Sequence, residues 1–164
     1  MTLSARASSA VTITLASLAT SSGLTVGRCS ASFDNSTNLD EMVAASLLCT
    51  TGTTPTTATR IELWAFQQRE DGTWPDIFTA AYTGSDGGFT IQSRDILRAG
   101  AALVGSVATD ATSNRAYVIG MSDIAARLGG FVRIGAFFVV HSTGVNLNST
   151  AGNHELVVKT HYWA

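Results

Sequence analysis

The sequence predicts an all-β protein, an antiparallel β-sandwich or jelly roll with one or two short helices. Three observations lead there. Apolar side chains recur at a period of two along 60–67, 131–141 and 155–163, and that period belongs to strands. Clusters of Gly, Asn, Asp, Ser and Thr interrupt the chain at short intervals, as the turns of a sandwich or barrel require. The chain has 164 residues, 45% of them apolar, enough for one core that needs neither metal nor disulfide.

The elements follow in order. Residues 1–9 are small and polar and read as a flexible N-terminal arm, with 10–164 forming a single domain. Val11, Ile13 and Leu15 alternate with Thr12 and Thr14, a half-buried strand pattern. After a turn at Ser21, Ser22 and Gly23, 28–33 is a short second strand, and 34–38 is a loop of Asx-turn formers. Residues 39–49 are ambiguous: Leu39, Met42, Val43 and Leu47 fit a helical spacing, but a strand ending at Cys49 is favoured. A Thr-rich loop with Pro55 leads into the clearest strand, 60–67. Ile61, Leu63 and Ala65 share one face of it, and Glu62, Trp64 and Phe66 the other.

Residues 75–82 are an excursion, and Phe89 and Ile91 mark a brief strand. Two segments carry helix grammar: 93–100 and 122–129 each have a serine cap, an early acid, a late arginine and a terminal glycine. Strands are expected at 101–109 and 115–120. The strand at 131–141 places large apolar groups on both faces, so both need a cover, either a second sheet with the short helices or a partner.

Charged residues make up only 13% of the chain, with a net charge of −2 and a single lysine, Lys159. No basic stripe offers itself to nucleic acid, and no polybasic segment to a membrane surface. Low Lys and Glu content suits surface that is buried between proteins. Thr12 and Thr14 interrupt the early apolar run, which argues against a signal peptide. Cys29 and Cys49 have no metal spacing and read as buried thiols, with a disulfide left open.

No catalytic, cofactor-binding or metal-binding residues emerge. His154 and His161 are seven apart, which on a strand puts them on opposite faces, and zinc needs three or four converging ligands. The oxygen-rich run 34–41 has Leu39 where a calcium-binding loop needs glycine. Asp71, Asp76 and Asp86 lie near Trp74 and Tyr82, the ingredients of a glycan site, although solvated turn acids are commoner. Trp64, Phe66, Phe137 and Trp163 are the candidate core-or-interface anchors.

Several segments carry a resemblance when taken together: Leu18 to Leu24, Asp34 to Leu39, Thr51 to Thr56 leading into Ile61-Glu62-Leu63-Trp64, Trp74-Pro75-Asp76-Ile77-Phe78, and Thr143-Gly144 with Gly152-Asn153-His154. Their order resembles a group of small structural proteins of tailed bacteriophages. The resemblance implies a non-enzymatic virion component assembled in the host cytoplasm. The favoured role is a jelly-roll capsid cement or decoration protein that binds the major capsid protein or other virion proteins as a homo-oligomer, a dimer or trimer. It brings no cofactor and no catalytic residues. The alternatives are a tail, neck or fibre component and, in another class, a lectin-like glycan-binding module.

Overall fold

The computed structural model describes residues 1–164, the side chains of Met121 and Ser122 excepted. Two antiparallel sheets face each other, so the chain is an all-β sandwich. The first sheet contains β1 (Leu3–Ala5), β2 (Ser9–Ala10), β5 (Met42–Thr50), β9 (Ala116–Asp123) and β11 (Glu155–Trp163). It runs β1-β11-β5-β9, with β2 beside β1 on the same flank of β11. The second sheet contains β3 (Val26–Cys29), β4 (Phe33–Asp34), β6 (Thr59–Gln67), β7 (Gly87–Thr90), β8 (Ala102–Thr109) and β10 (Ile134–His141), in the order β7-β3-β10-β6-β8, with β4 also on β10.

The favoured strand reading of 39–49 is what forms. Buried Val43, Ala45, Leu47 and Cys49 alternate along β5 with half-exposed residues. With Ile61, Leu63, Ala65, Phe137, Val139, Leu156 and Val158 they fill the space between the sheets. Each of these larger side chains contributes about 1.5–3 kcal/mol by leaving water.

The outer face of the second sheet is covered by the protein itself. Trp64, Phe66, Ala136, Phe138 and Val140 pack there against Ile77, Phe78, Tyr82, Ile91 and Leu97. The cover is the excursion at 74–101, which ends in the one α-helix, α1 (Arg94–Gly100). Ser93 caps it by accepting the Ile96 amide at 3.1 Å, and Asp95 pairs with Arg98 one turn on. Phe66 sits at the hub of this layer, edge-on to Trp74, Phe78 and Tyr82 at centroid distances of 5.6, 5.5 and 5.1 Å. Both faces of β10 are thus covered within one chain. Gly27 permits the close packing of β3 on β10, since a Cβ there would strike the Val139 carbonyl and come within 2.8 Å of the Phe138 ring.

Three expectations give way. Residues 1–9 do not hang free: β1 and β2 pair with β11, and the Arg6 amide between them bonds the Thr160 carbonyl at 3.0 Å. Residues 11–15 bury Val11 and Leu15 as the alternation predicts, but they join no ladder. The Val11 amide bonds Leu156 in the first sheet at 2.9 Å, while the Thr12 carbonyl accepts from Ala31 beside the second at 2.8 Å. The segment crosses from one sheet to the other. Residues 122–129 form no α-helix: β9 runs through Asp123, and only a 3-10 turn, Ala126–Leu128, follows.

Candidate functional site

The four predicted anchors separate by layer. Phe137 is fully buried between the sheets, stacked on Phe33 at 5.5 Å. Trp64 and Phe66 lie under the excursion, almost without solvent contact. Trp163 alone is at the surface, 51% exposed, next to exposed Leu3 across the β1–β11 ladder.

The buried polar groups are held by one another. Glu62, only 3% exposed, receives the Trp64 indole N–H at 2.8 Å and both terminal nitrogens of Arg94 at 2.8 and 3.1 Å, and pairs with Arg60. The Arg94 guanidinium also lies over the Trp64 ring, 5.3 Å from its centre. Burial pushes the Glu62 carboxyl up, but the bonds from Arg94 and Trp64 outweigh it and hold the group below its usual range. Asp86 works the same way. Burial opposes its charge, while a two-pronged bond from Arg28 at 2.7 and 2.9 Å and the Thr14 hydroxyl at 2.6 Å favour it, with a net downward shift. Asp40 is lowered first by its two bonds from Arg6, at 2.7 and 3.0 Å, and further by the Thr160 hydroxyl.

This pairing accounts for the candidate cation loop. Leu39 does take the left-handed conformation that glycine favours, with φ of 51°. Asp40, however, is turned into its bonds with Arg6 and Thr160, and Asp34 caps the Ser36 amide at 2.7 Å. Buried Asn35 closes the loop by donating to the Asp40 and Val132 carbonyls and accepting from the Asp40 amide. Beside it lies a groove of about 330 Å³ lined by Arg6, Thr12, Phe33 and Asn38. Among the described residues no three His, Cys, Asp or Glu side chains gather as metal ligands.

The histidines are also dispersed. His141 is buried, contacting the Thr143 hydroxyl at 3.0 Å and the Leu18 carbonyl at 3.1 Å, and burial depresses its pKa to about 4. His154 sits between the Thr50 amide and the Asn148 carbonyl. Nδ1 of His161 is the one buried side-chain polar atom without a hydrogen-bond partner among the described residues.

The glycan candidates do not converge. Tyr82 is buried and donates to the Ser30 carbonyl at 2.6 Å, and Trp74 is spent edge-on against it at 4.8 Å. Asp86 belongs to Arg28, while Asp71 caps its own turn and Asp76 receives Gln92. Cys29 and Cys49 are free thiols in different layers of the core, and burial raises the Cys49 thiol to about 12.

One feature escaped the sequence reading. The residues that alternate with the buried ones on β5 and β11 form the outer face of the first sheet, against which no core cluster packs among the described residues. Ladder partners share a face. Ala10, Val157 and Ser46 therefore form one row, Glu155, Leu48 and Val118 a second, and Lys159, Ala44 and Asp123 a third. Val118 is 60% exposed. The signal was present in Leu156-Val157-Val158 and in 42–48, where small or apolar residues occupy both parities.

No protein-family model matches the chain, and no curated protein matches it in sequence.

Proposed function

We propose that this chain is a non-enzymatic structural protein of a tailed-phage virion, acting as a capsid cement or decoration protein that binds the major capsid protein and stabilises the head. The observation that carries this reading is the uncovered outer face of the first sheet. The other large apolar sheet face is buried under the chain's own 74–101 excursion, whereas this one holds exposed Ala10 and Val118 beside half-buried Ala44, Leu48 and Val157. Contiguous exposed apolar surface marks sites of protein contact.

Two further facts favour a binding role over chemistry. The buried side chains of Asp40, Glu62 and His141 and the half-buried Asp86 are each engaged in bonds that hold one chain segment to another. A scaffold needs such ties, whereas a catalytic acid or base needs a group free to exchange protons with a substrate. The low charge content also matches the composition of protein interfaces.

The test is direct. Purified protein is added to heads of the phage that carries its gene, prepared without it. Co-sedimentation, together with a higher temperature of DNA release, is the expected result. Protein that stays in the supernatant at saturating concentration overturns the capsid assignment, and recovery with isolated tails moves the role to the tail or neck.

A further inference from the structure

We infer that a second copy of this chain covers the outer face of the first sheet, related by a two-fold axis that lies between the two sheets and runs across the strands above Val157. The inference takes up the homo-oligomer that the sequence resemblance implies, and it rests on the function proposed above for the reading of this face as a contact surface.

Area comes first. An axis above Val157 lays β5 and β9 over their copies along nearly their whole length but β11 only over 155–159, which at about 4.8 Å per strand is a contact on the order of 350 Å² per copy. Two copies bury roughly 700 Å², short of the ~1,000 Å² of a stable interface, so the contact is a weak one whose dimer forms toward the upper end of the concentration range. The face is of one kind: β5 contributes Ala44, Ser46 and Leu48, with Val157 at its middle. Such small and branched side chains suit the spacing of about 10 Å at which sheets stack.

Charge then selects the geometry. The chain's only lysine, Lys159, stands on this face, and Glu155 stands on the same strand and face four residues before it. Among the described residues neither makes an ion pair within 4.0 Å. A self-complementary contact needs a two-fold axis, and for two stacked faces that axis lies in the plane between them. An axis running along β11 would stack Lys159 on Lys159 and Glu155 on Glu155. An axis running across the strands above Val157 reverses β11 over itself, so that each Glu155 meets the partner's Lys159, twice per dimer. It also lays β5 and β9 over their own copies, so that the row of Val157 and Ser46 meets itself, and Leu48 and Val118 meet the partner's Ala44 and the partner's Asp123. Asp123 lies at the far edge of its row, where it is occupied in capping the Ala125 amide at 3.0 Å.

The experiment is a charge swap read by solution mass. Light scattering over a hundredfold range of concentration is expected to show a dimer for the unaltered chain. Glu155→Lys and Lys159→Glu each place like charges opposite one another and are expected to weaken the dimer by about tenfold or more, because like-charge juxtaposition is strongly unfavourable in an interface. The double variant Glu155→Lys/Lys159→Glu restores opposite pairs and is expected to recover the dimer. All four positions per dimer are on the surface of the single chain, so circular dichroism and thermal unfolding of the dilute proteins should coincide. A monomer at every concentration overturns the inference, and so does a dimer indifferent to both single swaps, or a double variant no better than the singles. A chain that is monomeric alone yet sediments with phage heads overturns the self-contact and leaves the capsid role standing. A charge-sensitive dimer that ignores heads supports the self-contact and overturns that role.

Discussion

Trp64 and Glu62 lie two residues apart on β6, face the same way, and are joined by the indole N–H donating to the carboxylate at 2.8 Å. The pair sits beneath α1, where Arg94 closes it from above with two bonds to the same carboxylate. Glu62 therefore links the excursion to the sheet that it covers. Replacing one partner of such a pair strands the other. Glu62→Gln is expected to cost about 2–4 kcal/mol, below the full penalty of a buried pair because Arg94 retains some solvent contact. Urea unfolding at pH 7 measures it.

His141 makes stability depend on pH in a range where most groups are silent. Burial lowers its folded pKa to about 4 from an ordinary 6.5. The unfolded chain then binds the extra proton first as pH falls. The stability tied to neutral His141 is complete above pH 6.5 and is lost as pH drops through that value toward 4, by up to about 3 kcal/mol. Unfolding free energies at pH 7 and pH 4.5 should differ accordingly. In His141→Gln the difference should shrink to what the carboxylates contribute.

Those carboxylates act lower on the scale, in the same direction. Asp40, Glu62 and Asp86 all have folded pKa values below their ordinary ones of 3.8 or 4.5. Their contribution is present above the ordinary values and disappears as pH falls through the depressed ones. A second, steeper loss of stability below about pH 4 is the expected outcome of an acid titration followed by circular dichroism.

Asp86→Ala removes the anchor that Arg28 and Thr14 share. The expected cost is about 2–3 kcal/mol, since it leaves the mostly shielded Arg28 without its counter-charge. Hydrogen exchange should locate the effect, with the Thr14 and Ala31 amides losing protection first. Uniform loss across both sheets would count against a local anchor.

Cys29 and Cys49 are buried in separate layers, with thiols pushed well above their ordinary range. Thiolate is the reactive form. Native protein is expected to react negligibly with a thiol reagent over hours, and to yield two thiols per chain at once in denaturant.

Where one strand meets one sheet, the sequence was readable. The two faces of β6 and the two covered faces of β10 follow from period-two alternation, and the Ser93 cap and the Asp95–Arg98 pair mark the helix. Residues 11–15 show the limit of that signal: alternation reports burial and carries no information about hydrogen-bond partners, so a segment bridging two sheets reads like a strand in one. At 122–129 the helix grammar lost to pairing, since Ser122 and Asp123 find ladder partners in Ala45 and Ala44. The grammar survives in the short turn, where Asp123 caps the Ala125 amide, Arg127 lies in the last turn and Gly129 ends it with a φ of 96°. The anchors were legible as aromatics but not as layers, because the cover at 74–101 has no periodicity that says which sheet face it will meet. The open face of the first sheet went unread for a related reason, because small residues on both parities give no contrast.

The crossing at residues 11–15 also has a mechanical meaning. Apolar packing between two sheets has no preferred direction, so by itself it offers little resistance to one sheet gliding over the other. Directional bonds from Val11 to Leu156 and from Ala31 to Thr12, with Thr14 tied to Asp86, fasten the layers at that end of the molecule. A load that shears the layers strains this stitch as they begin to slip, so the segment adds to the sandwich's rigidity in shear.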